Sequence, residues 1–285
     1  MYDDNNKDTL SHRKGNTKMK RLSMSILLVL MSALLVLAMT ACGGDTATTT
    51  PEETTSAGVS QSATTEAPAD TGTVGAVGES AAVDASYFDD AAFVGDSVSL
   101  KLSYYAVNGC LGNAQFFTAG SLGSANALWE VSDESVHPSY QGQKMLVEDC
   151  IANSGAKKVY IMLGMNDLGL YGLEDTVKNF ETLVDRILEK SPSVQIVVQS
   201  MTPMTSTSTI IGENLNNDNI KIYNQRLCDL CTEKGWAFVD VASVMYDAEG
   251  ENLNRDYCSD PDQLGVHFTE EGCQKWVDYL STHTP

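Results

Sequence analysis

The sequence predicts an α/β fold built on a five-stranded parallel sheet with helices on both faces. Three observations predict it. Five short apolar runs, at 91–94, 114–118, 158–163, 194–199 and 236–239, recur along the last 200 residues. Stretches with helical apolar spacing lie between them. Strands buried on both faces read as continuous apolar runs, and alternation with helices is the pattern of parallel sheets. Finally, small or polar residues suited to chemistry stand just beyond several of these runs, where ligands bind in such sheets.

Each element follows from local composition. Phe93 and Val94 are strand formers. Gly95 permits a tight turn, and Asp96 and Ser97 suit a helix N-terminus. A helix is expected over 98–107. A short helix at 124–129 follows the second strand, then a polar loop at 131–143 containing Pro138, then a helix at 145–153. The strand at 158–163 runs into Gly164-Met165-Asn166-Asp167. A long amphipathic helix spans 173–190, with Val177, Phe180, Leu183, Val184 and Ile187 on one face. After the strand at 194–199 comes a loop to about residue 216, in which Met201 and Met204 are candidates to line a cleft. Asp218 is the expected N-cap of a helix to Lys234, and a last helix covers 269–282.

The first 85 residues read differently. Lys18, Lys20 and Arg21 precede an apolar run at 26–38 that ends in Met39-Thr40-Ala41-Cys42. A basic segment, an apolar segment and a small residue before a cleavage point describe an export signal, with Met19 as an alternative start. An uncleaved membrane anchor is the competing reading, though the run is shorter than the ~20 residues a span needs. Residues 43–85 are rich in Thr, Ala, Ser, Gly and Glu with few large apolar side chains, and are expected to be a disordered tether. The folded domain is expected over 86–285. Beyond residue 42, 12 Lys/Arg stand against 35 Asp/Glu. A chain so acidic has no basic patch for phosphates, which argues against nucleic acid as a partner.

Besides Cys42 there are six cysteines. Cys228-x-x-Cys231 is a weak metal or redox signal without a second pair, and buried free thiols are the preferred reading. Cys258 with Cys273 is the pair most worth testing for a disulfide. No metal and no cofactor is expected.

Four blocks in order resemble the SGNH (GDSL) hydrolase family: Gly95-Asp96-Ser97, the glycine loop at Gly120, Gly164-Met165-Asn166-Asp167 and the late His267. The likeness covers nearly the whole domain. It implies a three-layer α/β/α sandwich of flavodoxin-like type. It also implies Ser97 as nucleophile, His267 as general base, and an oxyanion hole made of the Ser97 and Gly120 backbone N–H groups with the Asn166 amide. Gly123 is the rival of Gly120, and His137 and His283 fall in no block. The family's aspartate stands three residues before the histidine, where this chain has Leu264. We assign Asp262 as the acid; Asp260 is its rival, and a Ser–His dyad is the third arrangement. The ending at Cys42 resembles the lipobox of bacterial lipoproteins, which implies lipidation of Cys42 and an exported, membrane-anchored protein on the extracytoplasmic face.

The function expected is serine esterase chemistry on small-molecule or glycan esters, short acyl groups such as O-acetyl on carbohydrate first. A lipase or lysophospholipase and an acyltransferase would use the same site. A non-catalytic glycan-binding lipoprotein is the reading from another class, favoured by the displaced acid.

Overall fold

In a computed structural model the described residues are 73–285. The signal segment with Cys42 and most of the expected tether lie outside them.

The sheet has five parallel strands: β1 (Ala91–Gly95), β2 (Gln115–Thr118), β5 (Lys158–Met162), β6 (Gln195–Gln199) and β7 (Ala237–Val239). Their order across the sheet is β2-β1-β5-β6-β7. Registers are simple, with Gly95 beside Thr118 on one side and Met162 on the other. The strand ends therefore line up along one edge. Helices α1 (Ser97–Tyr105), α2 (Ser124–Ala127), α3 (Val147–Ser154), α4 (Met165–Lys190), α5 (Asn217–Lys234) and α6 (Glu270–Thr282) complete the α/β sandwich. A stacked row of rings crosses the sheet, Phe93 lying 4.8 Å from Tyr160 and 5.1 Å from Phe116 between centroids. Such offset ring pairs add about 0.5–1.5 kcal/mol each beyond the apolar area they bury.

The expected strands are all present, and four local expectations are corrected. Helix α4 begins at Met165, not near residue 173; Gly172, at φ 73°, interrupts it, so two helical stretches abut at that glycine. Asn216 rather than Asp218 caps α5, its side chain accepting from Asn219 N at 2.9 Å. The loop between α2 and α3 contains a small hairpin, β3 (Ser139–Tyr140) with β4 (Gln143–Lys144), turned by Gln141 and Gly142 at positive φ. Met201 and Met204, expected in a cleft-lining loop, are buried in the core.

The domain also starts earlier than composition suggests. Residues 73–85, expected as tether, are bound to the domain. Thr73 N donates to Asp240 Oδ2 at 2.6 Å and Val77 N to the Phe238 carbonyl at 2.8 Å. Ser80 N and Val83 N donate to the Thr282 and Ser281 carbonyls at 2.6 and 2.9 Å. Val77 and Val83 pack against the core. The segment is polar overall; Val77 lies along the open edge of β7, which an edge strand needs covered, and Val83 lies at the end of α6. A chain beginning at residue 86 is therefore expected to lose about 2–4 kcal/mol of urea stability relative to one beginning at 73, from four hydrogen bonds and two valine contacts. Matched urea titrations of the two lengths check this.

Candidate active site

Gly95 ends β1 where α1 turns back over the sheet. A Cβ there would collide with the Ser99 side chain and lie 3.0 Å from the Met162 carbonyl, so only glycine allows this approach. Asp96 caps α1, its Oδ1 accepting from Val98 N at 2.9 Å. Ser97 is the first residue of the helix and half-buried, with its hydroxyl at the sheet's C-terminal edge.

His267 arrives from the other end of the domain, on the segment that leads into α6. Its Nε2 is 2.9 Å from Ser97 Oγ and its Nδ1 is 2.7 Å from Asp260 Oδ2. His267 is 4 % exposed. Serine, imidazole and carboxylate thus form one continuous hydrogen-bonded chain, an arrangement able to deprotonate a hydroxyl and hold the resulting imidazolium.

The carboxylate in this chain is Asp260, so the assignment of Asp262 is corrected. Cys258 bridges antiparallel to Phe268, and Ser259 N donates to the His267 carbonyl at 2.7 Å. Asp260 and His267 therefore face each other across a loop although seven residues separate them. Gln263 N and Gly265 N both return to the Asp260 carbonyl, at 2.9 and 3.0 Å, which leaves Asp262 out at the tip. Asp262 is 68 % exposed and pairs with Arg255 at 2.9 Å and Thr207 Oγ1 at 2.9 Å. Gly265, at φ 68°, is needed for the loop to close, since a Cβ would overlap the Thr205 hydroxyl. Burial alone would raise the Asp260 pKa. Hydrogen bonds from the His267 ring and backbone and from Cys258 Sγ, together with the nearby imidazole charge, reverse the sign and hold it below the usual carboxylate range.

The oxyanion candidates converge on the same edge. Gly120 follows β2 by two residues, and nothing lies within 4 Å of where its Cβ would be. Gly123 is committed elsewhere, its N–H donating to Asn126 Oδ1 at 2.9 Å. Asn166 is the second residue of α4, and its Nδ2 lies 3.2 Å from Asp96 Oδ2 and 3.1 Å from the Leu122 carbonyl. Gly164, at φ 136°, makes the turn into α4 against the Tyr223 ring, where a Cβ would come within 2.7 Å. Next to Asn166, the buried Asp167 accepts from Ser124 N and Ala125 N at 2.8 and 2.9 Å, tying α4 to the start of α2. The strand ends thus bring Ser97, Gly120 and Asn166 together, while His137 and His283 lie away from them, bonded to Ser135 Oγ and the Tyr279 carbonyl.

Sequence reasoning did not single out Asp96 and Asp167 as site residues. The signal available was an aspartate at each strand end beside a named site residue, a position where burial is expected. All six described cysteines are free thiols, so the Cys258–Cys273 pair is not bonded. Among the described residues no group of three or more His, Cys, Asp or Glu is placed to hold a metal.

Asp96 carries the largest carboxylate perturbation of the site. Burial raises it to about 6, against the opposing pull of the Val98 N–H and His267. An acid whose folded pKa lies above its unfolded 3.8 binds its proton more tightly when folded, so its contribution to stability grows as pH falls from 7 through 6 toward 4. Relative to Asp96→Asn, the protein is expected to gain about 2 kcal/mol of stability between pH 7.5 and 4.5. Urea unfolding of both forms at the two pH values measures it.

A sequence-family model described as the GDSL-like Lipase/Acylhydrolase family matches residues 93–275, from the strand before Ser97 to beyond His267. No curated protein sequence matches the chain. Among solved structures, a candidate acylhydrolase from Bacteroides fragilis NCTC 9343 superposes with a TM-score of 0.52 at 18% identity, over 67% of this chain and 83% of that one. A candidate platelet activating factor from Streptococcus pneumonia gives 0.51 at 19% identity, over 67% and 81%. These two likenesses establish the fold, and the family match spans every block of the site: the chain belongs to the GDSL-like lipase/acylhydrolase family.

Proposed function

We propose that this chain is an extracytoplasmic serine esterase that hydrolyses short acyl esters, O-acetyl groups on carbohydrate foremost. The observation that carries the chemistry is the bonded chain Ser97 Oγ–His267 Nε2 and His267 Nδ1–Asp260, at 2.9 and 2.7 Å. Ser97 Oγ attacks the ester carbonyl as His267 Nε2 takes its proton. Asp260 keeps the other ring nitrogen protonated and stabilises the imidazolium. Negative charge moves to the carbonyl oxygen, where the Ser97 and Gly120 N–H groups and the Asn166 amide receive it. Each such donor is worth roughly a hundred- to a thousand-fold in rate. Collapse expels the alcohol, which takes the proton from His267. Water, deprotonated by the same imidazole, then releases the acid and restores Ser97.

The address comes from the sequence. A basic and apolar leader ending at Cys42 supports export and lipidation, and the Thr/Ala-rich segment after it supports a tether. A surface position and an acidic domain favour a neutral or glycan-borne ester over a nucleic acid or an anionic lipid.

Hydrolysis of p-nitrophenyl acetate, butyrate and octanoate tests the proposal. Acetate is expected to be the best substrate. Ser97→Ala is expected to remove activity and labelling by a fluorophosphonate. Asp260→Ala is expected to lower kcat by about 100-fold or more, given the role of the orienting acid. Asp262→Ala, whose exposed ion pair is worth little, should change kcat by less than about 3-fold. A chain that hydrolyses none of these esters and leaves Ser97 unlabelled would overturn the reading, and octanoate as best substrate would replace acetylesterase by lipase.

A further inference from the structure

Asp96 stands outside the Ser97–His267–Asp260 chain, yet it is 2 % exposed and bonded to another part of the site. Its two carboxylate oxygens have different donors. Oδ1 takes Val98 N at 2.9 Å and Oδ2 takes Asn166 Nδ2 at 3.2 Å. The same Nδ2 also reaches the Leu122 carbonyl at 3.1 Å. An amide nitrogen carries two hydrogens, and here each has an acceptor. A flipped amide would turn its oxygen toward a carboxylate and a carbonyl, so the orientation of Asn166 is determined. The two acceptors come from different segments, the end of β1 and the loop after β2.

We propose that Asp96 is a positioning residue for the oxyanion hole, its ionised carboxylate anchoring the Asn166 amide beside Ser97. This rests on the reading of Asn166 as an oxyanion donor. In the reacting complex the oxyanion replaces the neutral Leu122 carbonyl as the second acceptor. The charge-assisted bond to Asp96 is the stronger of the two internal bonds, and it persists. Asp96 bears the same charge sign as the oxyanion, but its charge is met by the Val98 N–H at the helix N-terminus. It also lies within electrostatic reach of His267, which is cationic whenever the oxyanion exists.

The anchor requires the ionised form. Both oxygens face N–H donors, so a protonated Asp96 would turn its O–H against one of them. The charged or titratable groups that act on Asp96 are His267, from the segment before α6, and Asp167, from α4; the first favours ionisation and the second opposes it. Burial dominates and brings the carboxyl to about 6, so acidification through that pH releases Asn166. Asparagine at position 96 offers one oxygen and can serve only one of the two donors.

NMR of the 15N-labelled protein reads the anchor directly, without turnover. The Asn166 side-chain amide signals, assigned by their loss in Asn166→Ala, are expected to move with a midpoint near pH 6. The movement is expected to persist in His267→Gln, which removes the imidazole as its source, and to vanish in Asp96→Asn. Signals static between pH 4.5 and 7.5, or moving equally in Asp96→Asn, overturn the anchor. The wild-type titration stands even where a variant does not fold. Kinetics with p-nitrophenyl acetate supply the second arm. Asp96→Asn is expected to lower kcat about 10- to 100-fold, a part of what losing an oxyanion donor costs, with KM changed by less than about 3-fold. In an Asn166→Ala background the same substitution should cost less than about 3-fold, because the two act as a unit. Equal losses in both backgrounds overturn the proposal alone. An Asn166→Ala enzyme with wild-type kcat overturns the oxyanion assignment and the proposal with it.

Discussion

The site depends on the register of three neighbouring strands. Gly95 lies beside Thr118 and Met162, so β1, β2 and β5 end level with one another. Two residues past the first end comes Ser97, two past the second Gly120, and four past the third Asn166. A slip of one residue in any pairing would turn that strand's buried side chains to the opposite face and move the residue beyond it by more than 3 Å along the edge. The apolar strands, buried on both faces, make such a slip costly. The precision of the site is thus inherited from the core, through Phe93 and Tyr160, rather than built by the loops that carry it.

Glycines convert that register into contact. Gly95 lets α1 begin against β5, and Gly164 lets α4 begin against Tyr223. Each brings a helix N-terminus, with its free N–H groups and positive dipole end, to the same edge. The nearby aspartates are met by helix N-termini: Asp96 caps α1, and Asp167, within α4, accepts from the first residues of α2. Buried carboxylates are costly unless hydrogen-bonded. Here they are satisfied by backbone N–H groups and, for Asp96, by the Asn166 amide, which keeps them from acting as free charges.

Much of this was legible in the sequence. The apolar runs mark the five strands because a strand buried on both faces has no polar alternation, and the residues just past them mark the edge. The acid was harder to read. Asp260 and His267 are brought together by the pairing of Cys258 with Phe268, a long-range backbone contact that leaves no periodicity. Counting residues back from His267 favoured Asp262, but the loop folds its tip outward and ties that side chain to Arg255. The early start of the domain was missed for a related reason. Val77 and Val83 are isolated apolar residues in a polar stretch, and they are explained only by the open edge of β7 and the end of α6. Helix α4 starts ahead of the amphipathic run at 173, because Gly169 lies within helix and only Gly172 departs from it.

The binding of residues 73–83 to β7 also decides where the domain bears mechanical load. Tension entering at Thr73 meets Asp240 first, then the Phe238 carbonyl, then the last turn of α6. These bonds flank the outermost strand, and β6 and β5 stand between it and β1. A pull at residue 73 therefore meets the far border of the sheet before the strand that leads into Ser97. The bonds that meet such a pull first join the outer strand and the C-terminal turn of α6, at the end of that helix away from His267.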